Sequence, residues 1–234
     1  MKREITFRFK QFALSDSNCG MKTGTDGVTL GAWVNCRDAR SVIDVGAGSG
    51  LIALMIAQRS PLARIHAVEI DPAAASDATF NIAASPWGRR IDVIGNDILH
   101  YRPDTAPDLI VSNPPFFNTG EISADTGRAT ARHESSLTCR SLLAYARATL
   151  ADDGRLAIIV PADRCDEIIY AAEMMHLKVR RQCFLHSKPG QKPFRVMFEF
   201  MRHDGPIESC SLTIRSQGGS YTPEFKKLTE DFYL

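Results

Sequence analysis

The stretch Ser41-Val-Ile-Asp-Val-Gly-Ala-Gly-Ser-Gly-Leu-Ile-Ala-Leu-Met-Ile-Ala-Gln58 decides the fold of this chain. Its apolar residues 41–45 predict a buried strand, and its apolar residues 51–58 predict a helix. Between them lie three glycines, Gly46, Gly48 and Gly50. Such a loop lets a ligand approach the backbone closely, and the helix start directs free N–H groups and a positive dipole end toward it. The stretch therefore predicts a strand, loop and helix unit that binds a nucleotide-type ligand.

Strands and helices alternate along the rest of the chain. Further strands are predicted at residues 64–69, 91–94, 108–112, 155–160, 178–185 and 194–201, with another around 211–215, and helices at 135–150 and from 163 to about 175. The strands at 178–185 and 194–201 are joined by the turn Lys188-Pro-Gly190. This alternation predicts an α/β sheet whose last strands are antiparallel.

The second strand ends in Glu69, which lies 19 positions beyond Gly50 and is placed to accept ribose hydroxyls. Asp71 and Pro72 also predict a helix start, and capping by Asp71 would leave Glu69 free. A dinucleotide fingerprint requires glycine at position 51, where this chain has Leu51. The pattern Asp-x-Gly-x-Gly-x-Gly50 instead resembles the first motif of the class I S-adenosylmethionine-dependent methyltransferases.

This resemblance implies a Rossmann-like, doubly wound sheet of seven strands with helices on both faces and an antiparallel C-terminal strand. It also implies S-adenosylmethionine as the cofactor. Asp44 and the three glycines would lie at its methionine and ribose end, and Glu69 at its ribose. Asp97 would accept a hydrogen bond from its adenine amino group, and Ile98 would lie against the adenine ring.

The tetrapeptide Asn113-Pro-Pro-Phe116 follows the apolar strand that ends at residue 112. Ligands of open α/β sheets bind at the carboxyl ends of strands. The amide oxygen of Asn113 and the carbonyl of Pro114 are two acceptors on a loop stiffened by proline. They suit an NH2 group attached to a planar system, and Phe116 suits stacking on a flat ring. Adenine and a glutamine amide both fit this description, and an ordinary proline turn is the alternative.

Length and composition predict a single folded unit. The chain has 234 residues, 44% of them hydrophobic, and a formal net charge of +1, which excludes a globally basic nucleic-acid binder. We divide it into an N-terminal extension packed on the core, residues 1–40, and a methyltransferase domain, residues 41–234. The six cysteines show no metal-ligand spacing, so no metal is expected. No signal peptide or apolar 18-residue segment is found, so a cytoplasmic protein without membrane contact is expected.

Positive charge is concentrated in one part of the chain. Residues 176–202 contain seven Lys or Arg and one acidic residue, Glu199. These cations predict phosphate contacts, with a solvated strand face as the alternative. The candidates are Arg180, Arg181, Lys188 and Lys192, and Arg132 of the polar loop 118–132 is a further one.

The N-terminal segment Met21-Lys-Thr-Gly-Thr-Asp-Gly-Val-Thr-Leu-Gly-Ala-Trp33 predicts a helix start that Thr25 or Asp26 caps. Together with residues 50–59, Ser85-Pro-Trp87, Asn113 to Phe116 and residues 221–234, it resembles the bacterial tRNA1(Val) (adenine-37-N6)-methyltransferases over nearly the whole chain. This resemblance implies methyl transfer to N6 of an adenine beside the anticodon. It places Asn113, Pro114 and Phe116 at the target base, where related enzymes commonly have Tyr in place of Phe116. It suggests a substrate-side role for Lys22, Asp26 and Arg132.

The reaction expected from these residues is a direct in-line attack of the amine on the methyl group, without a covalent enzyme intermediate. Two alternatives remain open. A protein glutamine-N5 methyltransferase would use the same tetrapeptide, although the roughly 40 residues before Ser41 leave little room for the N-terminal helical domain usual in that class. A noncatalytic RNA- or cofactor-binding module is the second alternative.

Overall fold

A computed structural model of the chain describes residues 4–114 and 137–234. The strands are β1 (Phe7–Arg8), β2 (Ala13–Leu14), β3 (Ser41–Val45), β4 (Arg64–Glu69), β5 (Ile91–Gly95), β6 (Leu109–Ser112), β7 (Arg155–Pro161), β8 (Lys178–His186), β9 (Arg195–Met201) and β10 (Glu208–Thr213). The helices are α1 (Thr25–Trp33), α2 (Leu51–Arg59), α3 (Pro72–Ala83), α4 (Cys139–Thr149), α5 (Cys165–Met174) and α6 (Pro223–Leu228). Among these helices, none is long and apolar enough to cross a membrane.

Eight strands form one sheet in the order β10-β8-β9-β7-β6-β3-β4-β5. Neighbouring strands in this sheet run parallel to each other, except that β9 runs antiparallel to both β7 and β8. The predicted doubly wound α/β fold with an antiparallel C-terminal strand is confirmed. An eighth strand, β10, adds to the predicted seven and pairs in parallel with β8. The sequence predicted this strand only from about residue 211, whereas it begins at Glu208. Its first four residues are exposed, as an edge strand allows, and therefore show no pattern of buried apolar residues.

The alternation of side chains along each strand supplies two apolar clusters, one on each face of the sheet. In β3, Val42 packs with α1 and α2, whereas Ile43 packs with α4 and α5 on the other face. In β6, Leu109 and Val111 share the face of Val42, and Ile110 shares that of Ile43. Residues of β2 and α1 belong to the first cluster, so the N-terminal segment packs on the sheet.

The centre of the sheet contains the point where the strand order reverses. β3 pairs with β4 on one side and with β6 on the other. The chain segments that follow β3 and β6 therefore lead to opposite sides of the sheet, and a crevice opens at the carboxyl ends of these two strands. Val45 and Ser112 are partners at this edge, and the Ser112 hydroxyl donates to the Val45 carbonyl at 2.9 Å. The glycine loop and Asn113 follow directly, so the fold places them side by side.

The opposite part of the sheet contains a buried carboxylate. Glu199 of β9 is 3% exposed, and one of its oxygens accepts from Arg181 at 2.8 Å and from the Asn35 backbone N–H at 2.7 Å. The Arg181 guanidinium lies 4.4 Å from the centroid of the Trp33 ring. Arg181 therefore joins β8 to β9 and to the end of α1.

We expect Arg181→Ala to destabilise the fold because it leaves the Glu199 charge buried without its cation. A loss of about 2 to 4 kcal/mol in the free energy of unfolding is expected, measured by urea denaturation. Arg164→Ala is the control, since Arg164 pairs with exposed Glu167 and its loss should cost less than about 1 kcal/mol. Equal losses in the two variants would contradict a supporting role for Arg181.

Candidate active site

The glycine loop between β3 and α2 is open on one side and closed on the other. Gly46 and Gly48 have φ angles of +66° and +56°, and a Cβ at either position would meet nothing within 4 Å. At Gly50, with φ of +81°, a Cβ would lie 3.3 Å from Ile82 of α3. The left-handed backbone favours glycine at these positions. The open side leaves room for a ligand along the loop.

Glu69, at the end of β4, holds this loop in place. It is 8% exposed, and its carboxylate accepts from the Gly48 N–H at 2.8 Å and from the Asp71 N–H at 2.9 Å. Asp71 caps α3 as predicted, accepting from the Ala73 N–H at 3.1 Å. Although Asp71 caps α3, Glu69 is not free of protein contacts, because each of its carboxylate oxygens accepts one hydrogen bond from a backbone N–H. A carboxylate has about four acceptor sites, so its role toward a ribose stays a prediction.

Asp44 lies under the glycine loop at the start of α2. The helix N-cap is Gly50, which has no side chain, and Asp44 accepts instead from the Ala53 N–H at 2.9 Å. Its other oxygen is buried without a hydrogen-bond partner among the described residues. Burial raises the pKa of Asp44 to about 7, opposed by the Ala53 bond and assisted by the nearby charge of Glu69. Asp44 and Glu69 thus lie together beneath the loop, and Asp44 holds its proton below about pH 7.

Asp97 and Ile98 follow β5 at the same edge. One Asp97 oxygen accepts from the Leu99 N–H at 2.9 Å, and the other lies 3.8 Å from Nδ1 of exposed His100. Ile98 is buried in the apolar cluster with α4. Glu69 and Gly95 are partners in the sheet, so Asp97 lies beside Glu69 along the edge. Their contacts with an adenine ring stay predictions.

Asn113 lies against the first turn of α1. A Cβ on Gly27 would lie 4.0 Å from Nδ2 of Asn113, an ordinary contact distance, and only 3.1 Å from the side chain of Leu51 in α2. Pro114 is buried. Neither Thr25 nor Asp26 caps α1, contrary to the prediction, because Gly24 is the N-cap and makes no side-chain bond. Asp26 instead accepts from Arg195, at the start of β9, at 2.8 Å.

Two predicted site residues, Phe116 and Arg132, lie outside the described residues, as does the loop 118–132. The helix predicted at 135–150 is present as α4, from Cys139 to Thr149. Of the predicted tetrapeptide, the structure therefore locates Asn113 and Pro114.

The structure separates the predicted basic residues into two groups. Lys188 and Lys192 lie in the connection from β8 to β9, at the edge of the sheet that holds the glycine loop. Arg180 and Arg181 lie near the other end of β8, about 17 Å or more away at ~3.3 Å per residue. Arg180 donates to the carbonyls of residues 203, 204 and 206, and Arg181 binds Glu199. Both arginines are thus engaged by the protein away from the glycine loop, and their substrate role stays a prediction.

Lys22 is also engaged by the protein. Its ammonium donates to the carbonyls of Asp16 at 2.6 Å and Ser17 at 3.1 Å. The side chain thereby closes the backbone turn that precedes α1.

Asn81 of α3 was missed in the sequence: it donates to the Ser49 carbonyl of the glycine loop at 2.9 Å. The sequence signal that could have identified it was a polar residue next to Ile82 in a helix rich in alanine.

These residues fit S-adenosylmethionine, which carries a positive sulfonium. The open side of the glycine loop offers space, Asp44 has an unpartnered buried oxygen, and the nearby Glu69 supplies negative charge. A Cβ at Gly95 would also meet nothing within 4 Å, so open space continues toward Asp97. Among the residues that the structure describes, no group of three or more His, Cys, Asp or Glu is arranged to hold a metal ion.

Comparison with known proteins agrees with this geometry. Residues 29–165 match the family described as Methyltransferase small domain. The chain is 43% identical over 230 residues to a tRNA1(Val) (adenine(37)-N6)-methyltransferase of Bacteroides thetaiotaomicron, covering 97% of each chain. It is 42% identical over 237 residues to the protein of the same name from Yersinia enterocolitica, covering 100% of this chain and 94% of the relative.

Solved structures show the same fold at low sequence identity. A predicted O-methyltransferase from Agrobacterium tumefaciens is 19% identical, with a TM-score of 0.69 over 88% of this chain and 96% of its own. A ribosomal protein L11 methylase from Lactobacillus delbrueckii subsp. bulgaricus is 16% identical, with a TM-score of 0.57 over 82% and 84%. The methyltransferase domain and this fold imply S-adenosylmethionine as the methyl donor.

Asp44→Asn is expected to make stability less dependent on pH. The pKa of Asp44 is raised from its ordinary value of 3.8 to about 7, so between these values the folded chain holds a proton that the unfolded chain has lost. The stability that this proton provides is lost as pH rises through about 7. Between pH 5 and 8, wild type should lose roughly 2 to 3 kcal/mol relative to Asp44→Asn in urea denaturation.

Asp153→Asn, at a position whose side chain is 98% exposed, is the control and should follow wild type at both pH values. If Asp44→Asn also followed wild type, the burial of an uncharged Asp44 would be disproved.

Proposed function

The chain belongs to the family of the tRNA1(Val) (adenine(37)-N6)-methyltransferases, and we propose that it methylates N6 of adenine 37, beside the anticodon of tRNA1(Val), in the cytoplasm. The observation that carries the proposal is the position of Asn113 and Pro114. They follow β6 directly beside the glycine loop that follows β3, at the point where the strand order reverses. A target amine held there lies next to the methyl donor's binding loop.

The chain's contribution to the reaction is orientation. The amine nitrogen of adenine is a poor nucleophile because its lone pair is delocalised into the ring. Hydrogen bonds from its two protons to the Asn113 amide oxygen and the Pro114 carbonyl orient the nitrogen and favour the charge that develops during attack. Phe116 completes the site by stacking on the base.

S-adenosylmethionine, when bound, supplies an electrophilic methyl group on a sulfonium. The backbone of Gly46 and Gly48 would line its methionine and ribose end, and the carboxylates of Glu69 and, where ionised, Asp44 would favour its positive charge. Asp97 and Ile98 lie further along the same edge, where its adenine would bind. The alkylated amine is acidic enough to lose its proton to solvent, so these residues need not include a strong base.

The substrate side of the site is built from α1 and the β8–β9 connection. Asp26 and Arg195 form an ion pair beside Asn113, and both side chains are about one quarter exposed. Lys188 and Lys192 lie at the same edge and supply positive charge for phosphates of the anticodon loop. Arg132 joins them in this proposal. The target base in an RNA loop is already partly unstacked, which lowers the cost of extruding it.

The adenine assignment is tested with the intact protein, labelled S-adenosylmethionine and total tRNA from a strain that lacks its gene. Label is expected in N6-methyladenosine of tRNA1(Val). The same tRNA from the parent strain should accept little label, because its position 37 is already methylated. Label found only in protein would favour the glutamine alternative and overturn the proposal.

Asn113→Ala should lower kcat by about 10² to 10³, because one of the two acceptors for the target amine is lost. Affinity for S-adenosylhomocysteine, measured by calorimetry without RNA, should stay near that of wild type. Full activity in this variant would show that the acceptors are wrongly assigned.

Glu69→Ala is the matched variant on the cofactor side. It removes the acceptor for the Gly48 and Asp71 N–H groups, so affinity for S-adenosylhomocysteine should fall roughly tenfold. The opposite pattern, with binding lost in Asn113→Ala and kept in Glu69→Ala, would reverse the two assignments.

A further inference from the structure

Helix α3 contains two buried polar side chains that take no direct part in the proposed methyl transfer. Asp77 and Asn81 are one helical turn apart, and their exposed fractions are 0% and 1%. Buried polar groups are costly unless they are hydrogen-bonded. Both side chains bond residues 15–19, a stretch that runs from the β1–β2 hairpin toward α1. We call residues 15–24 the strap.

Asn81 joins the strap to the glycine loop. Its oxygen accepts from the Ser15 N–H at 2.8 Å, and its NH2 group donates to the Ser15 carbonyl at 2.8 Å and to the Ser49 carbonyl at 2.9 Å. All three bonds are buried. One side chain therefore sets the position of the loop backbone relative to the strap.

Asp77 holds the next part of the strap. Its two oxygens accept from the backbone N–H and the side-chain NH2 of Asn18, each at 2.8 Å. The Cys19 thiol lies 3.6 Å from the same carboxylate. Burial, the charge and hydrogen bond of Asp77, and the charges of Asp16 and Glu69 raise the pKa of Cys19 to about 12. Asp77 makes these bonds to the strap, whereas Asn81 also contacts the glycine loop.

The strap continues into the target side of the site. The Asp16 carboxylate accepts from the Thr23 N–H at 2.6 Å, and the Lys22 ammonium donates to the Asp16 carbonyl. These bonds close residues 16–23 into a turn, and α1 begins two residues later at Thr25. The first turn of α1 carries Asp26 and packs against Asn113.

We propose that Asp77 and Asn81 are positioning residues for methyl transfer: Asn81 sets the glycine loop and the strap together, and Asp77 sets the strap and, through it, the first turn of α1 beside Asn113. This inference rests on the proposed function for its tRNA readout. Its cofactor readout is independent of the substrate. The two residues are therefore expected to have different effects.

Asn81→Asp keeps the shape of the side chain but replaces the donor to two carbonyls by an acceptor. Affinity for S-adenosylhomocysteine, measured by calorimetry on the protein without RNA, should fall about tenfold because the Ser49 carbonyl is repelled. Thr79→Ala, on the same helix, is the control. Thr79 is exposed and bonds the Ala75 carbonyl of its own helix, so its loss should leave cofactor affinity and activity unchanged.

Asp77→Asn should spare cofactor affinity and lower kcat/KM for tRNA about tenfold, because an NH2 group then faces a donor of Asn18. Adding Asn18→Asp reverses the polarity of this pair and should restore kcat/KM, which a general loss of stability would not explain. Asn18→Ala removes the same side-chain bond from an exposed position and provides the test if Asp77→Asn does not fold.

The inference is overturned if Asp77→Asn or Asn18→Ala lowers the melting temperature with kcat/KM for tRNA unchanged, or if Asn81→Asp binds S-adenosylhomocysteine like wild type. Failure of the proposed function looks different. In that case wild type itself does not methylate tRNA, while Asn81→Asp still loses cofactor affinity.

Discussion

The buried carboxylate of Glu69 is the interaction on which the site depends. It binds the Gly48 N–H of the loop after β3 and the Asp71 N–H at the start of α3. The Glu69 carbonyl also accepts from the Asn96 N–H after β5, at 3.2 Å. One residue thus ties together three connections that leave neighbouring strands. Without its carboxylate, the Gly48 and Asp71 N–H groups would be unpaired backbone donors near the ligand, which is costly when buried.

Negative charge under the loop has a chemical consequence. Burial away from water raises the pKa of Asp44 to about 7, and the nearby charge of Glu69 contributes to the rise. Such an environment opposes a second negative charge and favours a positive one. A sulfonium ligand fits this environment better than a phosphate does. The floor of the site therefore favours S-adenosylmethionine over a dinucleotide, in agreement with Leu51 in place of the fingerprint glycine.

The target side is assembled from parts that are far apart in the chain. Asn113 meets α1 at Gly27, Asp26 meets Arg195 across 169 positions, and the strap meets α3 through Asp77 and Asn81. A glycine at position 27 lets α1 pack closely on Leu51 of α2, next to Asn113. The N-terminal segment is therefore a wall of the site as well as a cover on the sheet.

Local patterns in the sequence were enough for the eight strands of the large sheet, the glycine loop, the Asp71 cap and the edge at which Asn113 lies, because strand alternation, turn chemistry and helix capping act over a few residues. Tertiary structure decided the rest. It engaged Glu69 with two backbone donors, buried Asp44, drew Asp26 away from capping toward Arg195, and paired Arg181 with buried Glu199. Apart from the bond between Glu69 and Asp71, these outcomes depend on burial or on contacts between residues 9 to 169 positions apart, and neither can be read from neighbouring residues. The sequence determined which chemical groups the protein has and which edge of the sheet they approach, whereas packing decided which of them are left to meet a ligand.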